Sequence, residues 1–183
     1  MEELKIEVKR GKELTEDYIK LMENARIEEY GLNTKDFRNK EKDSVFFFVN
    51  RLGKIVSFGM LKPVRIEFNG EIFDILGISS MLSLKKGKGY GLVLAEAMIE
   101  YLEKSGKSGL GFCEKKVSGF YDKCGFEIIE SFALRFRQRG AGAKEKLAEH
   151  EEGWYGVCFN GKDNFIRKAA GSDGVLYIDG SFW

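Results

Sequence analysis

Three lysines and three glycines crowd one short run, Lys85-Lys86-Gly87-Lys88-Gly89-Tyr90-Gly91. Residues of these types, so spaced, suit the binding of a phosphate or diphosphate. Glycine keeps side chains away from the oxygens and supplies the positive φ that some turn positions require. Lysine adds a full charge that backbone dipoles lack. Such a run works only if its amides point one way, so its neighbours matter. Before it, Ile72-Phe-Asp-Ile-Leu-Gly-Ile78 reads as a strand, because β-branched and aromatic residues fill a short span. After it, Leu92 to Lys104 sets apolar residues at helical spacing. Strand, basic glycine turn, helix: that order aims free N–H groups and the positive end of a helix dipole at one point. The spacing is not the dinucleotide fingerprint G-x-G-x-x-G, and no Lys-Ser/Thr pair follows to make a P-loop.

A second block lies downstream, Phe120-Tyr121-Asp-Lys123-Cys-Gly125-Phe126. The pair of blocks resembles the GCN5-related N-acetyltransferases (GNAT). In that family Arg/Gln-x-x-Gly-x-Gly/Ala forms the coenzyme A pyrophosphate loop, matched here by Lys86-Gly-Lys-Gly89-Tyr-Gly91. A Tyr-x-Lys-x-Gly-Phe segment follows it. The resemblance covers roughly residues 43–130, the core of what reads as one domain over 1–183, with a C-terminal extension, 138–183, completing the acceptor side. It implies an α+β fold of three layers, α/β/α: a mixed, mostly antiparallel, twisted sheet splayed around acetyl-CoA. It also implies roles. Lys86, Gly87, Lys88, Gly89, Tyr90 and Gly91 would hold the pyrophosphate, and Ser79, Met81 and Ser83 would lie on the strand that holds pantetheine. The co-substrate is acetyl-CoA, and the activity is transfer of its acetyl group to a primary amine by direct attack. The acceptor is a small molecule or a peptide.

Such a transfer poses two proton problems. An amine of pKa about 10 must lose a proton, and a departing thiolate of pKa about 8.5 must gain one. By the resemblance, Tyr121 is the general acid; a phenol is still protonated at neutral pH. The alternative is a packed aromatic, a duty that Phe120 fits better. The base is less plain. Many relatives carry a Glu nine positions before the first basic residue of the loop, and here that position is Gly77. Asp74 is three residues off and, without a bulge, faces the other side of the sheet. The family's usual Asn in the second block falls on Glu114. Asp74, Glu114 or a group from the tail therefore remain open, as does a chain that binds acyl-CoA as a sensor or scaffold without turnover.

Composition narrows the field. The 183 residues include 43% hydrophobic and 32% charged, a globular balance. Lys+Arg 30 against Asp+Glu 29 leaves +1, which argues against a nucleic-acid binder. No apolar run suits a membrane span and the start Met1-Glu-Glu-Leu is not a signal peptide, so the expectation is a cytoplasmic protein. The cysteines Cys113, Cys124 and Cys158 are spaced for neither a disulfide framework nor zinc, and His150 is the single histidine. No metal is expected. A homodimer is one option for its assembly.

In chain order, residues 3–9 alternate as a half-exposed strand. Thr15 caps a helix that runs to about Tyr30, with Leu14 and Ile19 as a hydrophobic staple and Gly31 as its stop. A short helix is expected over Thr34 to Glu41, in the region that lies over the acceptor in the family. Val45–Val49 is a buried strand, Gly53 a turn, and Pro63 marks an edge or bulge. Asn69-Gly70 predicts a type I′ hairpin, making 45–82 an antiparallel meander. Strand 108–113 should pair parallel with strand 72–82 after the helix. Residues 138–153 read as a connector with His150 in solvent. Trp154–Phe159 reads as a strand, and the end from Val175 is too apolar to hang free. That end is similar to those of aminoglycoside 2′-N-acetyltransferases, which implies that Asp179 and Trp183 line an acceptor pocket and contact a cationic amine. The alternative is an edge strand with an aromatic anchor.

Overall fold

The computed structural model describes residues 4–139, 154–179 and 183. The elements in order are β1 (Leu4–Arg10), α1 (Glu16–Tyr30), β2 (Val45–Arg51), β3 (Lys54–Phe68), β4 (Glu71–Ser83), α2 (Tyr90–Ser105) and β5 (Gly109–Glu114). They continue with α3 (Lys115–Lys123), β6 (Glu127–Ile129), β7 (Phe136–Arg139), β8 (Trp154–Phe159), α4 (Phe165–Ala170) and β9 (Leu176–Asp179). The strand order is β1-β2-β3-β4-β5-β8-β6, and β9 pairs with both β3 and β7. Pairing is mostly antiparallel; β4–β5 and β7–β9 are parallel. The expected α+β architecture is therefore present. Most of the predicted connector 138–153, His150 included, lies outside the described residues.

The chain forms two compact units, residues 1–62 with 79–98, and residues 63–78 with 99–183. The first unit is built on a core of Ile19, Met22, Phe37, Phe46, Phe48, Phe58, Met60 and Leu82. Helix α1 enters it as the sequence predicts. Thr15 takes the N-cap position and its carbonyl accepts the Ile19 N–H at 3.2 Å, but its hydroxyl makes no cap bond among the described residues. Leu14 packs on the core that holds Ile19. The Gly31 N–H closes the helix on the Ile27 carbonyl at 2.8 Å. The helix expected over 34–41 is absent; residues 37–40 form a turn instead. Side chains compete there with helical bonding: Asn33 Oδ1 takes the Lys35 N–H at 3.1 Å and Asp36 Oδ1 the Asn39 N–H at 3.1 Å. Phe37, fully buried, then pins the turn to the core.

The second unit surrounds Ile66, Phe73, Ile75, Leu110, Phe132, Phe136, Phe165 and Ile178. The predicted hairpin is there, with φ of 50° at Asn69 and 79° at Gly70, as a type I′ turn requires. Pro63 breaks nothing: β3 runs through it. It falls between the last pair with β2, Val45↔Leu61, and the first with β9, Ile66↔Ile178. A residue with no N–H to give sits where the strand changes partner. Elsewhere, buried Ser108 and half-buried Asp163 join the start of β5 to the turn before α4: Ser108 N–H and Oγ–H donate to the carboxylate at 2.8 and 2.5 Å. Cys113, Cys124 and Cys158 are buried and form no disulfide among the described residues, and burial pushes the Cys113 thiol up to about 11. Among the described residues no helix is long and apolar enough to cross a membrane, and no cluster of His, Cys, Asp and Glu could hold a metal.

Candidate functional site

In the first unit, β4 delivers the chain to the basic turn and α2 leads it away. Ser79 and Met81 are half-buried, and Ser83 Oγ lies 3.1 Å from Ser57 Oγ, which itself donates to the Leu82 carbonyl at 3.0 Å. These bonds fix the end of the strand. The turn then bends through Gly87 and Gly89 at φ of 72° and 78°, conformations that other residues adopt at a cost of about 1 kcal/mol. No atom stands within 4 Å of where a Cβ would be at either position. Both glycines serve the backbone's shape.

The amides behave as a helix N-terminus should. After Leu84, whose N–H bonds to Val56 O, the next turn amide with a backbone partner among the described residues is that of Leu92, on Gly89 O at 3.1 Å. The first turn of the 16-residue α2 holds no acid that would neutralise the positive end of its dipole, and Lys104 complements the other end. Lys86 Nζ pairs with Glu29 Oε1 of α1 at 2.7 Å; Lys85 and Lys88 are exposed and form no ion pair among the described residues. The arrangement can hold a dianionic diphosphate.

The second unit holds the other sequence candidates. Tyr121 is half-buried on α3, its ring edge-on to Phe120 at 5.2 Å and to Phe126 at 6.2 Å. Asp74 is exposed and takes Arg65 Nε at 3.0 Å. Glu114, also exposed, ends β5 and pairs with Lys116 at 2.6 Å. Asp179 is exposed on β9, within electrostatic reach of Arg65. The structure thus gathers Asp74, Arg65 and Asp179 into one solvated group, and leaves Glu114 on a separate surface pair.

Gly77 carries the feature that the sequence does not announce. It pairs with Leu110 in the short parallel contact of β4 and β5, and a Cβ there would stand 2.6–2.7 Å from the indole of Trp183. That indole donates from Nε1 to the Leu110 carbonyl at 2.9 Å and lies against Phe112 with centroids 5.7 Å apart. A tryptophan side chain therefore covers the strand position where the resemblance expects a carboxylate. The apolar tail was the sequence's only hint; its landing place is set by a pairing more than seventy residues back.

No family model and no curated protein matches the sequence. The likeness is in the fold. Escherichia coli ElaA superposes with a TM-score of 0.59 at 11% identity, over 85% of this chain and 99% of its own. The GNAT family N-acetyltransferase YhbS from Escherichia coli, in complex with CoA, gives 0.56 at 13% identity, over 97% and 91%. An N-acetyltransferase from Staphylococcus aureus Mu50 gives 0.53 at 16% identity, over 84% and 97%. The fold is that of the GNAT N-acetyltransferases.

Proposed function

We propose that the chain transfers an acetyl group from acetyl-CoA to a primary amine by direct attack, residues 1–183 acting as one transferase domain. The observation that carries this reading is the junction of β4 and α2: uncommitted amides, two left-handed glycines and a lysine cluster at the start of a long helix. The amides and lysines of residues 86–91 bind the diphosphate, and the backbone of Ser79–Ser83 takes pantetheine. The amine nitrogen attacks the thioester carbon, the tetrahedral adduct collapses with loss of the C–S bond, and Tyr121 gives its proton to the sulfur. The proton from the amine leaves through water. Asp74 and Glu114 stand in solvent, paired with Arg65 and Lys116 respectively.

Calorimetric titration with acetyl-CoA tests the binding half; absence of heat from a folded sample would end the reading. For the chemical half, Tyr121→Phe should cut kcat by roughly 10²-fold or more while leaving coenzyme affinity in place. Unchanged turnover would take Tyr121 out of the mechanism. A second reading, an acyl-CoA-binding sensor or scaffold, is favoured by the indole seated over Gly77. Coenzyme release measured across a panel of amines separates the two, binding without turnover favouring the module.

A further inference from the structure

Two cations of the first unit stand half-buried with no acid in hydrogen-bond or ion-pair contact among the described residues. Arg26 on α1 donates from Nε to Asn33 Oδ1 at 2.9 Å and from Nη1 to Ser80 Oγ at 3.2 Å, and its guanidinium lies 5.3 Å from the Tyr30 ring centroid. Every one of these partners is neutral. Burial draws its pKa down, yet a guanidinium stays protonated. Lys35 follows in the turn after α1, and its Nζ makes no hydrogen bond or ion pair with the described residues. Burial brings that amine down to about 8, against the pull of Glu41 and with repulsion from Lys62 and Arg26. Among the described residues Glu41 is the one acid acting on it, and Glu41 is already committed. It is 3% exposed, takes Lys62 Nζ at 2.9 Å on one oxygen and Ser44 Oγ at 2.8 Å on the other. Lys35 and Lys62 thus share one carboxylate, and Arg26 has none among the described residues.

Keeping cations from water without a counter-charge costs stability. The cost becomes intelligible if a ligand brings the missing charge. Arg26 has spent two of its five N–H donors, and what remains includes the Nη2 edge, a fork suited to a carboxylate. Its partner Ser80 holds φ at 53°, a conformation unusual for serine and costly by roughly 1 kcal/mol. Ser80 lies between Ser79 and Met81, on the stretch of β4 assigned above to pantetheine.

We propose that Arg26 and Lys35 form an acid-recognition subsite beside Ser80, and that the amine acceptor carries a carboxylate that docks there. This rests on the acetyl-transfer reading and names its substrate class: amino acids or peptides with a free acid near the reacting amine. The same charges repel a polycationic acceptor such as an aminoglycoside.

The test compares acetyl transfer to glycine, phenylalanine, lysine and glutamate with transfer to their α-amides. The amide amines are less basic and so are freer at neutral pH, which sets the chemical bias against the proposal. Acids should nevertheless show kcat/KM at least tenfold above their amides in one or more pairs. Arg26→Gln should bring that ratio toward one through KM. Lys35→Met, which touches no bond of β4, should lower it less and serves if the arginine variant fails to fold. Amides turned over as well as acids, or a ratio untouched by both variants, would overturn the proposal. A second measurement does not need turnover. The Lys35 side-chain carbon signal is followed against pH, with N-acetylglycine or N-acetylglycinamide added. The acid should raise the Lys35 midpoint and the amide should not; no difference overturns the subsite. Should acetyl-CoA fail to bind, the transfer reading falls, and this titration alone still decides whether the acid site exists.

Discussion

The glycines of the basic turn and the glycine of β4 do opposite work. Gly87 and Gly89 have empty space where a side chain would go and a backbone that side chains resist. Gly77 has ordinary strand geometry and no space at all, because the Trp183 indole fills it. One kind is kept for conformation and the other for proximity. The first can be read from neighbouring residues; the second depends on a tail that arrives from far along the chain.

Substitution at Gly77 should break that contrast most violently. Gly77→Glu, which restores the carboxylate expected from the resemblance, meets the indole and should cost 3 kcal/mol or more by denaturant unfolding, about the upper end for an overpacked core. Trp183→Ala alone removes packing. Together with Gly77→Ala it should show a coupling of about 1–3 kcal/mol, the double variant being less unstable than the sum. Strict additivity would mean that the indole does not sit there.

Gly89→Val should behave otherwise. With nothing to clash against, it should cost about 1–2 kcal/mol for its left-handed backbone. The more telling readout is coenzyme affinity, which should weaken roughly tenfold as the amides turn away from their common point, an energy of about 1.4 kcal/mol. Equal affinity would show that the turn's shape is incidental to binding.

The smallest effect concerns Lys35. Its folded pKa, about 8, lies below the ordinary 10.5, so between those values the folded state binds fewer protons than the unfolded chain. Stability should therefore rise with pH across that window and fall as pH drops toward 8, the penalty being complete below it. Lys35→Met should flatten this portion of the stability curve, as urea midpoints from pH 7.5 to 10.5 would show.

What could be read beforehand followed the reach of the interactions. The hairpin at Asn69-Gly70, α1 with its staple, and β8 were legible because their signals are local: turn chemistry, capping, apolar runs. The polar run over 34–41 suggests a helix but forms a turn at 37–40, since Asn33 and Asp36 spend their side chains on the nearby backbone and Phe37 answers to a core formed by other strands. The double pairing of β9, the short α4 after Asn164 and the acid-poor surroundings of Arg26 were invisible for a related reason. Each is decided by partners dozens of residues away, as Arg26 and Ser80 are, 54 positions apart. The candidate coenzyme loop was plain in the sequence; what the structure adds is its wiring.

The link from Lys86 to Glu29 has a consequence for the economy of binding. The turn carries its own counter-ion. If a diphosphate binds as proposed, it exchanges one acid for another at that lysine, and on departure the carboxylate can return. Under the proposed function, grip would be traded for ease of exchange, which suits a turn that has to release its spent coenzyme.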